Sequence, residues 1–285
     1  MRVTEVALAT SIPPAMRRPG PGGEDAGPAW RAACAASWPA PGWRVLTINP
    51  AEEIGTLSDL PPGVTAVPAQ PGVAETFGRP GTWVSDALAQ VVATGSPVVG
   101  IVNADIRLDL DAARRAALLD RARTRIIACN RMDVGHAGQD SGPFYRYGYD
   151  LVLMPRDLAQ RIDMRGFALG VPWWDYWILL DALLQGMPVE VVQCAGVRHL
   201  AHQAAWQRPA WLAALRSMMA HLAPRRAALS RLGMGIIAEA TADLLAAVAA
   251  APEEGYPLPD LAETAGTRFG IEVVRLAERN AWTLE

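Results

Sequence analysis

An amide and a carboxylate follow an apolar segment near the middle of the chain. The segment VVGIVNADI places Asn103 and Asp105 just after Val102. Because side chains alternate along an extended segment, both would project from the same side of it. Their oxygen atoms suit Mg²⁺ or Mn²⁺, so the pair could hold a divalent cation, or a ribose hydroxyl and a cation together. The alternative is that Asp105 caps the next helix, although Asp109 and Asp111 are better placed for capping.

A second carboxylate lies within a cluster of aromatic residues. In WWDYW, Asp175 is flanked by Trp173, Trp174, Tyr176 and Trp177. A helix turns by about 100° per residue, so four aromatic side chains at these positions cannot all face one core, and some must face a cleft. A carboxylate in such a cleft can act as a general base. The alternative is an aromatic helix start that fills the core, with Asp175 as its cap.

Two histidines near position 200 are candidate metal ligands. His199 and His202 are three positions apart, so on a helical turn they would share a face. Either could complete a metal site, and the alternative is that both are structural polar residues. His136 lies in the glycine-rich segment DVGHAGQDSGP and could close over a ligand, but a solvated loop is the favoured interpretation.

The elements that position these residues alternate between strands and helices. The predicted strands cover 2–10, 43–50, 63–69, 97–106, 124–132, 144–155 and 188–197. The predicted helices cover 29–38, 51–57, 84–95, 109–123 and 173–187, and another begins at 156. This alternation indicates βαβ units and therefore an α/β fold with a mainly parallel sheet flanked by helices.

Polar residues also stand at other predicted strand ends, namely Thr10, Ser11 and Asn49, and Asp150 is a further candidate within the strand predicted over 144–155. Ligands of open α/β sheets bind outside the carboxyl ends of the strands, so these residues are candidates for a binding site. Asp150 has a structural alternative as a buried carboxylate. The segment GPGG at 20–23 matches the dinucleotide-binding glycine pattern poorly.

The pattern becomes helical after about residue 206. We therefore predict a catalytic α/β domain over 1–206 and a helical C-terminal extension over 207–285. The extension would pack on the α/β core or form a contact between copies in a homo-oligomer.

Composition excludes several classes of protein. The chain has 285 residues, a net charge of −3 and no lysine among its 26 basic residues. A P-loop needs its lysine and a pyridoxal enzyme needs a lysine for its Schiff base, so both are excluded. The near-neutral charge implies no nucleic-acid partner, and no apolar run of about 18 residues predicts a membrane span. Three widely spaced cysteines (Cys34, Cys129 and Cys194) offer no disulfide framework, which fits a reducing cytoplasm.

The order of these motifs resembles a nucleotide-sugar glycosyltransferase of the A-type (GT-A) fold, similar to the large inverting family two. The matching segments are TSIPP after the first strand, GRPGTWVSDAL (78–88), VVGIVNADI, YGYDLVLMPRDL (147–158), GVPWWDYWILLDALLQGMPVEVV (170–192) and RHLAHQAAW (198–206). VVGIVNADI resembles the strand that carries the family's DxD motif. The resemblance covers about residues 3–206.

The resemblance implies a metal-dependent enzyme that moves a sugar from a nucleotide-diphosphate donor to a hydroxyl of a glycan or other acceptor. Asp105 would bind Mn²⁺ or Mg²⁺ together with His199 or His202. Asp175 would be the catalytic base of an inverting enzyme, or would position the acceptor in a retaining one. The implied nucleotide-sugar contacts are Thr10, Ser11, Ile12, Asn49, Arg79, Asp86, Asn103, Ala104 and Asp105. The implied acceptor contacts are Trp173, Trp174 and Tyr176.

Three residues depart from the family pattern. Asn103 takes the first acidic position of DxD, Trp174 replaces the usual Glu before Asp175, and Arg79 stands where Lys is common. Arg79 and Asp86 could also pair with each other on a helix surface. The first two departures favour an alternative, a catalytically inactive nucleotide-sugar-binding or scaffolding domain. A nucleotidyltransferase would need a lysine after the first strand. We expect a bacterial-type, cytoplasmic enzyme.

Overall fold

Strands and helices alternate through most of the chain, as the sequence pattern predicts. The computed structural model describes residues 4–20, 22–202, 207–251 and 259–284. Its strands are Val6–Thr10 (β1), Trp43–Asn49 (β2), Val64–Pro68 (β3), Val98–Val102 (β4), Ile106–Leu108 (β5), Ile126–Val134 (β6), Phe144–Pro155 (β7), Val189–Leu200 (β8) and Ala281–Leu284 (β9). Its helices are Gly27–Ser37 (α1), Ala51–Ile54 (α2), Val73–Phe77 (α3), Val84–Ala93 (α4), Ala112–Ala122 (α5), Arg156–Ala159 (α6), Trp174–Leu184 (α7), Arg208–Leu222 (α8), Ala228–Arg231 (α9), Ile236–Ala250 (α10) and Pro259–Ala277 (α11).

The strands form one mixed sheet in the order β3-β2-β1-β4-β7-β6-β8-β5, with β9 paired to β8. Most pairings are parallel, including those of β1 with β2 and β4, and that of β6 with β8. The antiparallel partners are β7, beside β4 and β6, and β5, beside β8. The predicted α/β fold with a mainly parallel sheet flanked by helices is confirmed. The apolar run of β4 is fully buried, as expected for a strand covered on both faces.

Helices cover both faces of the sheet. One core cluster includes Trp30 and Trp38 of the α1 region and Leu118 of α5. The other joins α4 and α7 to the C-terminal helices, and it includes Trp211 of α8 and Phe269 of α11. The helices after residue 207 therefore pack on the sheet and its helices. The predicted boundary at residue 206 lies outside the described residues and stays a prediction. Among the described helices, none combines the length and apolarity that a membrane span requires.

The chain turns earlier than the sequence predicts at the end of β4. The strand expected to reach Ile106 ends at Val102, and a turn closed by a bond from the Ile106 N–H to the Asn103 carbonyl follows it. The expectation that residues 103 and 105 share one side of an extended strand is therefore wrong. The turn leads into β5, which pairs antiparallel with β8 and aligns Ile106 with His199.

Candidate functional site

A cleft of about 970 Å³ opens where β1, β4 and β8 end and α7 begins. Most of the site residues predicted from the sequence line this cleft. They are Ser11, Arg79, Asn103, Ala104, Asp105, Trp173, Trp174, Asp175, Tyr176, His199 and His202.

Asp105 and the two histidines form a group that could hold a metal ion. One ligand atom from each of Asp105, His199 and His202 lies within 4.8 Å of the others. The Nε2 atoms of both histidines are 3.3 Å from Oδ2 of Asp105. The histidines do not share a helical turn, because His199 lies in β8 and His202 follows that strand. The antiparallel pairing of β5 with β8 brings the three residues together.

Asp133 orients the ring of His199 within this group. Nδ1 of His199 donates to a carboxylate oxygen of Asp133 at 2.9 Å, which turns Nε2 toward Asp105. A carboxylate behind a histidine is the usual outer partner of a metal-bound imidazole. Two imidazoles and one carboxylate suit Mn²⁺ better than Mg²⁺, which prefers oxygen ligands. The donor set therefore fits a divalent transition metal.

Asp105 is ionised in this setting. Burial would raise the pKa of its carboxyl, but hydrogen bonds from His199 and His202 and the charge of Arg18 hold that pKa well below its ordinary value. The Arg18 guanidinium donates to Oδ2 of Asp105 at 2.8 Å. A negative charge therefore remains available to a cation at neutral pH.

Asn103 belongs to a separate network on the same cleft wall. Its amide donates to Asp150 at 2.5 Å, and Arg131 bridges Asp150 at 3.0 Å and Asp133 at 2.9 Å. Asn103 thus lies outside the candidate metal site formed by Asp105, His199 and His202. The cause is the turn after Val102, which directs the two side chains to different partners.

Asp175 is positioned by the first turn of α7. One of its carboxylate oxygens accepts a hydrogen bond from the backbone N–H of Tyr149 at 3.4 Å. Burial and the nearby charge of Asp150 raise the pKa of Asp175 to about 7. A carboxylate with this pKa can accept a proton efficiently near neutral pH.

Aromatic residues form the wall beside Asp175. Trp173 has a left-handed backbone with φ of 81°, the only positive φ outside glycine in the described ranges. Its ring centroid lies 6.1 Å from that of Tyr176 and 5.3 Å from that of Trp211 in α8. Strain of this kind in a non-glycine residue is concentrated at functional sites. Trp173 and Trp174 border the cleft but are only 4% and 3% exposed, and they belong to the same core cluster as Trp177. Trp177 stacks on Phe167 at 6.1 Å. The expectation that the aromatic side chains of this segment cannot share one core is therefore wrong for the three tryptophans.

Four predicted nucleotide contacts have side chains that do not line the cleft. They are Thr10, Ile12, Asn49 and Asp86, and all four are buried. The Asn49 amide donates to the Ile12 carbonyl at 2.8 Å and to Glu53 at 2.9 Å, so it ties the loop after β1 to α2. Asp86 accepts from a backbone N–H at 2.8 Å rather than pairing with Arg79, which donates to the carbonyl of Gly170.

Several cleft residues were missing from the sequence-based site. They are Arg17, Arg18, Glu53, Arg131, Tyr145, Tyr147 and Trp211. The two tyrosines carried a signal in the sequence, because FYRYGY places several aromatic residues close together at the start of β7. In the structure they are 39% and 43% exposed. The arginines carried no such signal, since Arg18 lies in a proline- and glycine-rich loop and Arg131 lies within a strand.

Comparisons with known proteins return distant structural similarities. No family model matches the chain, and no curated protein matches its sequence. A protein from Desulfovibrio desulfuricans assigned as a nucleotide-diphospho-sugar transferase is similar over 67% of this chain and 80% of its own, with 13% identity and a TM-score of 0.41. A mannosyltransferase from Pyrobaculum calidifontis in complex with GDP-Man and Mn²⁺ is similar over 98% of this chain and 87% of its own, with 16% identity and a TM-score of 0.39. A mannose-1-phosphate geranyltransferase from Thermus thermophilus has 13% identity over 100% of this chain and 74% of its own, with a TM-score of 0.30.

Proposed function

We propose that this protein is a metal-dependent glycosyltransferase that moves a sugar from a nucleoside-diphosphate donor to an acceptor hydroxyl. The observation that carries the proposal is that one cleft holds both the Asp105, His199 and His202 group and the carboxylate of Asp175. Glycosyl transfer from such a donor needs positive charge at the leaving diphosphate and a base at the acceptor. The two groups match these two requirements.

Asp105, His199 and His202 would hold the cation, and Mn²⁺ is the ion that best suits them. A bound cation would neutralise the negative charge that develops on the leaving diphosphate. Asp133 would keep the ring of His199 in the ligating orientation. Ser11, Arg79, Asn103 and Ala104 lie on the wall of the same cleft and would contact the nucleotide sugar.

Asp175 would take the proton of the acceptor hydroxyl as that oxygen attacks the sugar, which corresponds to an inverting reaction. Its pKa of about 7 leaves much of the carboxylate deprotonated at neutral pH while keeping it basic enough to accept a proton. Trp173, Trp174 and Tyr176 would hold the acceptor against the base, because flat aromatic faces pack on the apolar faces of sugars. In a retaining enzyme, Asp175 would position the acceptor instead.

One arrangement favours a second candidate function, a nucleotide-sugar-binding domain without turnover. Arg18 already neutralises Asp105, and the amide of Asn103 is engaged by Asp150. Such a domain would bind the donor and leave it intact. Release of free sugar or transferred product in the presence of Mn²⁺ would exclude this alternative.

A thermal-shift panel of UDP-, GDP-, CMP- and dTDP-sugars, each with and without Mn²⁺, tests the donor proposal. A ligand that binds the native state at 100 times its Kd stabilises it by about 2.7 kcal/mol, which a melting curve detects. We expect one donor class to stabilise the protein only when the metal is present. The Asp105→Ala variant should lose this metal-dependent shift, whereas Asp175→Asn should keep it. Equal shifts with and without Mn²⁺ would contradict the metal requirement.

A further inference from the structure

Three positively charged or hydrogen-bonding groups converge on one oxygen of Asp105. The guanidinium of Arg18 lies 2.8 Å from Oδ2, and the Nε2 atoms of His199 and His202 lie 3.3 Å from the same atom. The side chain of Arg18 is only 13% exposed and that of Asp105 is 21% exposed. Arg18 therefore occupies part of the space around the oxygen that a cation would use.

The loop between β1 and α1 holds Arg18 in this position. The carboxylate of Asp25 accepts from the backbone N–H of Arg18 at 2.9 Å and from that of Gly27 at 3.0 Å. Pro19 and Asp25 also form an isolated antiparallel bridge. The backbone beneath the guanidinium is thus fixed by its own loop, and the side chain alone can exchange partners.

The Arg18 guanidinium does not use all of its N–H groups in hydrogen bonds. Besides the bond to Asp105, it donates to the adjacent carbonyl of Arg17 at 2.9 Å. Its Nε is buried and has no hydrogen-bond partner within the described part of the chain. Because Arg18 also lines the cleft, phosphate oxygens entering the cleft could take up these unused donors. The planar fork of a guanidinium matches two phosphate oxygens in geometry.

A cation and Arg18 compete for Asp105. Both are positive, and the oxygen that ligates a metal ion cannot keep a guanidinium at 2.8 Å without strong repulsion between the two charges. A metal ion bound without nucleotide would therefore displace Arg18 and leave its charge unpaired. A diphosphate bound with the metal would offer Arg18 a new anionic partner.

We infer that Arg18 is a ligand-binding residue that exchanges Asp105 for the diphosphate of a nucleoside-diphosphate ligand when a divalent cation binds. This inference rests on the proposed function. It makes two opposite predictions for one residue. Arg18 weakens the binding of the cation alone and strengthens the binding of the nucleoside diphosphate in the presence of the cation, a coupling that is reciprocal between the two ligands.

The Arg18→Gln variant of the full chain tests both signs. Without nucleotide, we expect its Kd for Mn²⁺, measured by electron paramagnetic resonance of free Mn²⁺, to be about tenfold lower than that of the wild type. With saturating Mn²⁺, its Kd for UDP or GDP, whichever the wild type binds, should be about tenfold higher by titration calorimetry. Neither measurement depends on turnover. The Arg18→Lys variant keeps the charge but loses the fork, so its Mn²⁺ affinity should stay near that of the wild type while its nucleotide affinity falls.

Arg17→Gln is the matched control, because Arg17 is exposed and lines the same cleft. It should change the Kd for Mn²⁺ less than twofold. If wild type and Arg18→Gln have the same Kd for Mn²⁺, the inference is overturned and the proposed function stands. The same conclusion follows if Arg17→Gln and Arg18→Gln lower the Kd for Mn²⁺ equally. If Arg18→Gln binds Mn²⁺ and neither the wild type nor Arg17→Gln does, the inference is supported. Failure of wild type and all variants to bind Mn²⁺ overturns the inference and the proposed metal dependence together.

Discussion

Nδ1 of His199 donates to Oδ1 of Asp133 at 2.9 Å, and this bond fixes which ring nitrogen faces Asp105. Outer partners of this kind change metal affinity by about 10- to 100-fold when they are removed. We therefore expect Asp133→Ala to raise the Kd for Mn²⁺ at least tenfold, measured by electron paramagnetic resonance. Asp140→Ala removes the same charge from a side chain that is 93% exposed and should change the Kd little. Similar effects of the two substitutions would show that net charge, and not ring orientation, governs binding.

His199 and His202 should contribute unequally to the metal site. The side chain of His199 is 4% exposed and has Asp133 behind it, whereas that of His202 is 18% exposed. A buried, oriented imidazole loses less freedom on ligation, so we expect His199→Ala to weaken Mn²⁺ binding several-fold more than His202→Ala. Titration of each variant with Mn²⁺ measures the difference. A larger loss in His202→Ala would reverse the assignment of the principal histidine ligand.

Asp175 should set the pH dependence of transfer. A base must be deprotonated to act, and burial with the charge of Asp150 raises the pKa of Asp175 to about 7. The value of kcat/KM for transfer should therefore fall about tenfold per pH unit below pH 7 and level off above it. Asp175→Asn should retain donor binding in the thermal-shift assay and lose transfer by at least 100-fold. Full transfer activity in this variant would rule out Asp175 as the base.

The raised pKa of Asp175 should also make the free energy of unfolding depend on pH. The unfolded carboxyl has a pKa of about 3.9, so the folded state holds the proton more tightly and the wild type loses stability as pH rises from about 4 to about 7. Asp175→Asn lacks this titration and resembles the protonated acid in shape. We expect the variant to gain, relative to wild type, on the order of 4 kcal/mol at pH 8 and almost nothing at pH 4, by denaturant unfolding at each pH. An equal difference at both pH values would contradict the raised pKa.

Local pattern predicted most strands and helices but missed α3 and β9, and contacts distant in sequence assembled the site. The strand predicted over 144–155 has the observed limits Phe144–Pro155, because alternation along a strand is visible in the sequence itself. The meeting of Asp105 with His199 depends on the pairing of β5 with β8, which no local pattern contains. The end of a predicted strand also does not show how the loop after it folds. Asn49 was therefore predicted to line the cleft, whereas its side chain bonds to Ile12 and Glu53.

The C-terminal helices should determine how the acceptor fits, through Gly266 of α11. A Cβ at this position would lie 2.9 Å from the ring of Trp211 and 3.0 Å from that of Trp173, so both aromatic side chains would have to shift. We expect Gly266→Ala to raise the KM for the acceptor several-fold and leave the Kd for the donor with Mn²⁺ unchanged, because the atoms that the added Cβ meets belong to Trp211 and Trp173 and not to Asp105 or the histidines. Gly235→Ala, with no atom within 4 Å of the added Cβ, is the control and should leave both constants unchanged. Loss of donor affinity in Gly266→Ala would mean that the aromatic wall belongs to the donor site. An unchanged acceptor KM would separate the wall from the acceptor altogether.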